Sequence, residues 1–233
     1  MDHLKTAKYC SKDCQKADWK VKTPTSPFLS FLHLKSNLHI TQSHKAVCNN
    51  HADLVHALQE HENTPLGLME RLVIPDGMSR YELDQRLEKW VKFHRPILMW
   101  ATTHALGLPS SLSNADNMVL YLRIKPTTQS YHGGSVAKGF QLLEAYTLPI
   151  EEANNYPSPW PEMLEQFELL RAQCEARGQG KVAACVIECS PLAVQIVPFR
   201  GLRGLGIPRS LTTWKETMEQ HFDEGKKMAI PRS

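Results

Sequence analysis

No run of apolar residues in this 233-residue chain approaches the roughly twenty needed to cross a bilayer as a helix. No secretory leader is recognisable either, so the six cysteines point to a reducing compartment, cytoplasm or nucleus. The usual catalytic signatures are missing as well: no nucleophile elbow, no metalloprotease helix, no phosphate-binding loop. The Gly133-Gly134 pair lacks the lysine and the following helix that a phosphate loop requires. These absences exclude a helical membrane protein and signpost no enzyme class. An acid–base pair assembled from distant residues stays open, because spacing alone cannot reveal it.

What is present reads as a globular protein. A hydrophobic fraction of 42% and a charged fraction of 22% suit one good-sized domain with a small appendage. The charge is unevenly placed. Residues 1–48 hold eight lysines, three aspartates and no arginine, a net of +5, whereas the rest holds nineteen basic and twenty-one acidic residues, a net of −2. A basic arm can approach nucleic acid. Without a base-reading module, direct nucleic-acid binding is not expected. Lysines around a cluster of thiolates serve equally to offset negative charge.

That cluster lies in Tyr9-Cys10-Ser11-Lys12-Asp13-Cys14-Gln15-Lys16-Ala17-Asp18-Trp19-Lys20, with His44-Lys45-Ala46-Val47-Cys48 further on. Cys10 and Cys14 are four apart, as are His44 and Cys48, a spacing that puts both members of a pair on one side of a helical turn. Thiolate and imidazole are zinc ligands, and a structural site takes four in tetrahedral array. The two runs resemble the second half of a MYND-type zinc finger. The resemblance implies that Cys10 and Cys14 are a third ligand pair and His44 and Cys48 a fourth. It also implies two zinc ions held in cross-braced order. The first two pairs have no counterpart, since none of the nine residues before Cys10 is a cysteine. Zinc binding is therefore expected to be impaired. Gathering Cys10, Cys14, His44 and Cys48 around one ion is one alternative, and a loosely helical remnant without metal is the other.

Between the two runs lies a segment of different character, residues 21–42, with two prolines, many Ser, Thr and Leu, and no acidic residue. Removing it joins Lys20 to Ser43 and restores the family spacing. Val21 is encoded by a codon beginning GT and Gln42 can be encoded by CAG, the two ends of an ordinary intron. The segment thus reads as a translated intron, in a finger truncated at its N-terminus. As a genuine loop, its apolar run Phe28 to Leu34 would be too short to span a membrane.

From 49 to 233 the pattern is that of an α+β body. A short helix is expected over 50–62, with His51, His56 and His61 scattered around it, then a loop through Pro65, Gly67, Pro75 and Gly77. Ser79 and Glu82 fit a capping box ahead of a stripe of Leu83, Leu87, Trp90, His94, Ile97 and Ala101. Pro96 is expected to kink this helix or divide it near Arg95, and His94 is expected to be buried and hydrogen-bonded. Strands are expected over 118–125 and 138–147. A helix over 162–177 follows, with Trp160 anchoring its start and Gly178 closing it. Two further strands, 181–188 and 193–199, should form a hairpin through Ser190-Pro191, and Thr213 with Glu216 repeats the capping-box spacing before a last helix. Cys185 and Cys189 share strand parity; buried inert thiols are the expectation there, with a metal site including Cys174 as the alternative.

The expected architecture is a small antiparallel or mixed sheet of about four strands with helices packed against one face. The body, including the run Arg86 to Pro96, resembles that of fungal proteins carrying a MYND finger. Such fingers bind short proline-rich peptides and recruit partners, so zinc binding and protein interaction are the implied functions. The Asn-His-Ser-Cys type signature of the lysine methyltransferases found beside some of these fingers is not present. An enzyme of unknown class in 49–233, or an interaction and oligomerisation module independent of zinc, are the competing readings.

Overall fold

The computed structural model describes His56 and residues 59–108, 110–192, 194–200 and 211–229. The chain divides into two compact units, Met1–Leu68 and Met69–Ser233. The expected boundary at 48 and 49 falls outside the described residues.

Of the first unit, residues 59–62 are helical, and a turn leads into helix α1, Pro65–Val73, which runs on past the division. The loop expected through Pro65 and Gly67 is therefore a helix. Its cause is local: Gly67 N donates to Thr64 Oγ1 at 3.0 Å, and Pro65 supplies a preset φ where no N–H is needed. Gly67 is also obligatory, because a Cβ there would strike the His61 carbonyl.

In the second unit, Ser79 caps helix α2, Arg80–Ala105. Its hydroxyl accepts from Glu82 N at 3.1 Å, and Glu82 Oε2 accepts from Ser79 N at 2.8 Å, the reciprocal box expected of this spacing. The helix continues unbroken through Pro96, so the division near Arg95 does not occur. Leu83, Leu87, Trp90, His94, Ile97 and Ala101 are all buried along one side, as their spacing predicts.

A short helix α3, Asn114–Asn117, leads to strand β1, Met118–Pro126. Helix α4, Gln129–His132, lies in the loop before strand β2, Phe140–Pro149. Helices α5, Ile150–Ala153, and α6, Trp160–Ala176, precede strands β3, Ala183–Glu188, and β4, Gln195–Phe199. The chain ends its described course in helix α7, Trp214–Glu224, closed by Gly225 at φ 64°. Thr213 does not repeat the box at Ser79. Its ψ of 20° departs from the extended backbone usual at a cap, and its side chain makes no capping bond.

The four strands form one mixed sheet in the order β2-β1-β3-β4. β1 pairs antiparallel with β2 and parallel with β3, and β3 with β4 form the expected hairpin. The α+β class and the strand number are as the sequence predicts, but both faces of the sheet carry helices. Strand alternation splits the core accordingly. Leu120, Leu122, Ile124, Cys185, Ile187, Val197 and Phe199 pack with α2 and α7, whereas Val119, Tyr121, Ala184 and Val186 pack with α6. Trp160, Leu164, Phe167 and Cys174 supply the inward stripe of α6, and Trp160 anchors its start as expected.

β2 adapts to this division through a bulge. Arg123 pairs with Glu144 and Ile124 with Leu142, leaving Leu143 as the extra residue. That one-residue slip lets Phe140, Leu142 and Ala145 share the α2 face although their parity differs.

Candidate functional site

The four expected zinc ligands, Cys10, Cys14, His44 and Cys48, lie outside the described residues, as do His51 and the segment 21–42. Among the described residues, no three of His, Cys, Asp and Glu are grouped to hold a metal. The alternative of a site shared by Cys174, Cys185 and Cys189 fails on topology. Cys174 packs on the α6 face, the other two on the α2 face. Burial pushes the Cys185 thiol up, and pushes Cys189 up to about 12 despite the opposing influence of Arg86. Both stay protonated and inert. His56 is exposed and meets Glu60 at 3.4 Å.

Polar chemistry on the α2 face is concentrated where three side chains, one turn apart, grip the loop between β1 and β2. Arg86 Nη2 donates to Thr127 O at 2.8 Å and to Gly139 O at 2.9 Å. Trp90 Nε1 donates to Ala137 O at 3.1 Å, and His94 Nε2 meets the same oxygen at 2.8 Å. The spacing i, i+4, i+8 on one helix face explains the alignment. Burial lowers the Arg86 guanidinium, with Asp76 acting to restore it.

His94 is buried and hydrogen-bonded, as its place on the stripe predicts. Trp90 and Phe222 rings lie 4.7 and 4.8 Å from it. Because Nε2 donates to a carbonyl, Nδ1 carries the lone pair, and it is buried with no partner. Burial lowers this imidazole to about 4; the Ala137 bond opposes the shift and His221 adds to it. The ring is neutral near pH 7. It acts as a strut: Nε2 is held by the Ala137 carbonyl, and among the described residues Nδ1 has no partner to exchange a proton with.

A second polar set ties α6 to the start of β1. Arg171 Nη2 donates to Asp116 Oδ1 at 2.5 Å, Arg171 Nη1 to Glu168 at 2.5 Å, and Lys181 Nζ meets Asp116 Oδ2 at 2.7 Å. Burial works to raise the Asp116 carboxyl, but Lys181 and Arg171 outweigh it and hold it below the ordinary value. Two cations on one carboxylate, one to each oxygen, make this pair an anchor between elements.

Beside the start of α6, the same sheet face carries aromatic rings and carboxylates. Tyr121 pairs with Tyr146 across β1 and β2, their rings 4.8 Å apart, and Arg123 lies between Glu144 on β2 and Glu188 on β3. Tyr121 donates its hydroxyl to Glu188 Oε2 at 2.9 Å, Tyr156 donates to Glu152 at 3.0 Å, and Arg123 is ion-paired with Glu144. Trp160 stands under Tyr156 at 5.1 Å. The accepting Glu152 pushes the Tyr156 phenol up to about 12, burial and Glu188 raise Tyr121, and burial with Glu144 raises Tyr146. All three phenols are neutral at physiological pH, and Tyr121 and Tyr156 are donors.

Sequence reasoning did not single out this patch. Strand parity puts Tyr121 and Arg123 together, but the bulge at Leu143 hides which residues of β2 join them. Comparison with family models, with curated proteins and with solved structures gave no match for this chain.

Proposed function

We propose that the chain is a zinc-binding protein that recruits partners, with its metal ligands in residues 1–48. The observation that carries this reading is the run from Tyr9 to Trp19 together with His44-x3-Cys48, which resembles half of a MYND-type finger. Three thiolates and one imidazole are the donor chemistry of a structural zinc site. Cys10, Cys14, His44 and Cys48 suffice for one tetrahedral ion, where an intact finger of this type holds two. Closing a loop of about thirty residues between the pairs weakens that ion's hold. Metal binding orders the segment, and the ordered segment offers an extended proline-rich peptide a small preformed surface.

Metal content of the full chain, purified without chelator, tests this directly. One zinc per chain is expected, lost in Cys10→Ser and in Cys48→Ser. A cobalt-substituted sample should show thiolate-to-metal absorption that the same variants abolish. Absence of retained zinc, or retention unaffected by Cys10→Ser, refutes the assignment. Two ions per chain refute the single-site stoichiometry.

A further inference from the structure

We propose that the half-exposed face around Tyr146 on strand β2 receives a lysine or arginine side chain from an extended polypeptide partner. This surface lies on the body and is independent of the zinc-binding reading. Glu144, Glu152 and Glu188 stand around the Tyr121–Tyr146 pair and Tyr156, and the cation paired among them, Arg123, is taken by Glu144. Among the described residues, Glu188 accepts the Tyr121 hydroxyl and Glu152 the Tyr156 hydroxyl, and neither is paired with a cation. Counting Lys125, the next exposed position of β1 on this face, the patch holds three carboxylates against two cations, beside a tyrosine ring that is 41% exposed.

A tyrosine face is negative at its centre, and a cation above it is held by the ring quadrupole as well as by nearby carboxylates. Arg123 gives the precedent within the molecule, a guanidinium seated on this sheet face between two glutamates on neighbouring strands. The topology points to a polypeptide as the source of the cation. β2 is an edge strand paired only with β1 among the described residues, so no described strand occupies its outer side, where an extended chain can run alongside. An extended segment there presents alternate side chains to the Tyr146 face.

The test uses the ¹⁵N-labelled full chain titrated with acetylated, amidated tri-arginine, with tri-lysine, and with tri-citrulline, which keeps the shape of arginine without its charge. The basic peptides should shift the amides of Tyr121, Glu144, Tyr146 and Glu188, with an affinity that falls as salt is raised. Tyr146→Ala and the double variant Glu152→Gln with Glu188→Gln should each weaken binding by roughly fivefold. Both leave the buried rings in place, and an unchanged spectrum away from the patch checks that the variants fold. Equal binding of tri-citrulline, shifts centred elsewhere, or indifference to both variants overturns the proposal. So does a concentration-dependent dimer whose amides along β2 are protected, which would assign the edge to a second copy of the chain.

Discussion

Replacing His94 by glutamine should remove the share of the folded body's acid sensitivity that this imidazole contributes. The folded imidazole titrates at about 4, against 6.5 for the free group. A proton is thus taken up by the unfolded chain and refused by the folded one throughout the interval between those values. Stability is full above the unfolded value, declines as pH falls from 6.5 towards 4, and is level below that as far as this group is concerned. At about 1.4 kcal/mol for each pH unit, the whole interval amounts to about 3 kcal/mol, and the part between pH 7 and pH 5 to about 2 kcal/mol. Structure gives the reason: a proton on Nδ1 would sit buried with no acceptor, between the Trp90 and Phe222 rings. Glutamine can place its amide nitrogen near the Nε2 position, so the bond to Ala137 O can persist while the titration is gone. The loss of ring packing lowers stability equally at both pH values. Denaturant unfolding of the full chain, followed by tryptophan fluorescence at pH 7 and pH 5, gives the comparison. Wild type should lose about 2 kcal/mol more than His94→Gln over that step. His104 and His132, also lowered by burial, contribute to both proteins and cancel in the difference. Equal losses in the two proteins would refute the reasoning.

Other expected outcomes follow from single contacts. Arg171→Met leaves Asp116 paired with Lys181 alone and removes the anchor of α6, and should lower stability by about 1.5 to 3 kcal/mol by denaturant unfolding. Phe167→Ala and Phe199→Ala each open a cavity on opposite faces of the sheet, and each should cost about 3 to 5 kcal/mol, since both faces are true core. Ser79→Ala should cost about 1 kcal/mol by removing a capping bond, whereas Thr213→Ala should stay within about 0.5 kcal/mol because no such bond exists there. Deleting residues 21–42 shortens the loop between Cys14 and His44 from about thirty residues to about eight, and should tighten zinc by about 1 kcal/mol, read by competition with a chromophoric chelator.

Local rules decided a good part of this protein from the sequence. The Ser79 cap, the stripe from Leu83 to Ala101, the strand alternation and the Gly225 stop each depend on residues within a turn or two, so spacing is enough to place them. The cysteine and histidine pairs near the N-terminus are read from spacing alone and lie outside the described residues. The helix at Pro65 is not announced locally, since a proline marks a loop or a helix start alike until Thr64 is seen to hold Gly67.

Only the tertiary structure decided what depends on residues far apart in the chain. Cys174 and Cys185 are close in sequence and on opposite sides of the sheet, because the chain passes from α6 on one face into β3, whose alternate side chains face both layers. The bulge at Leu143 changes which side chains of β2 face α2, and no local pattern announces a single unpaired residue. The company of Tyr146, drawn from β1, β2, β3 and the α5 region, exists only once strands distant in sequence have paired. Short-range sterics and hydrogen bonding wrote the elements into the sequence; burial of both sheet faces settled their arrangement and the chemistry left at the surface.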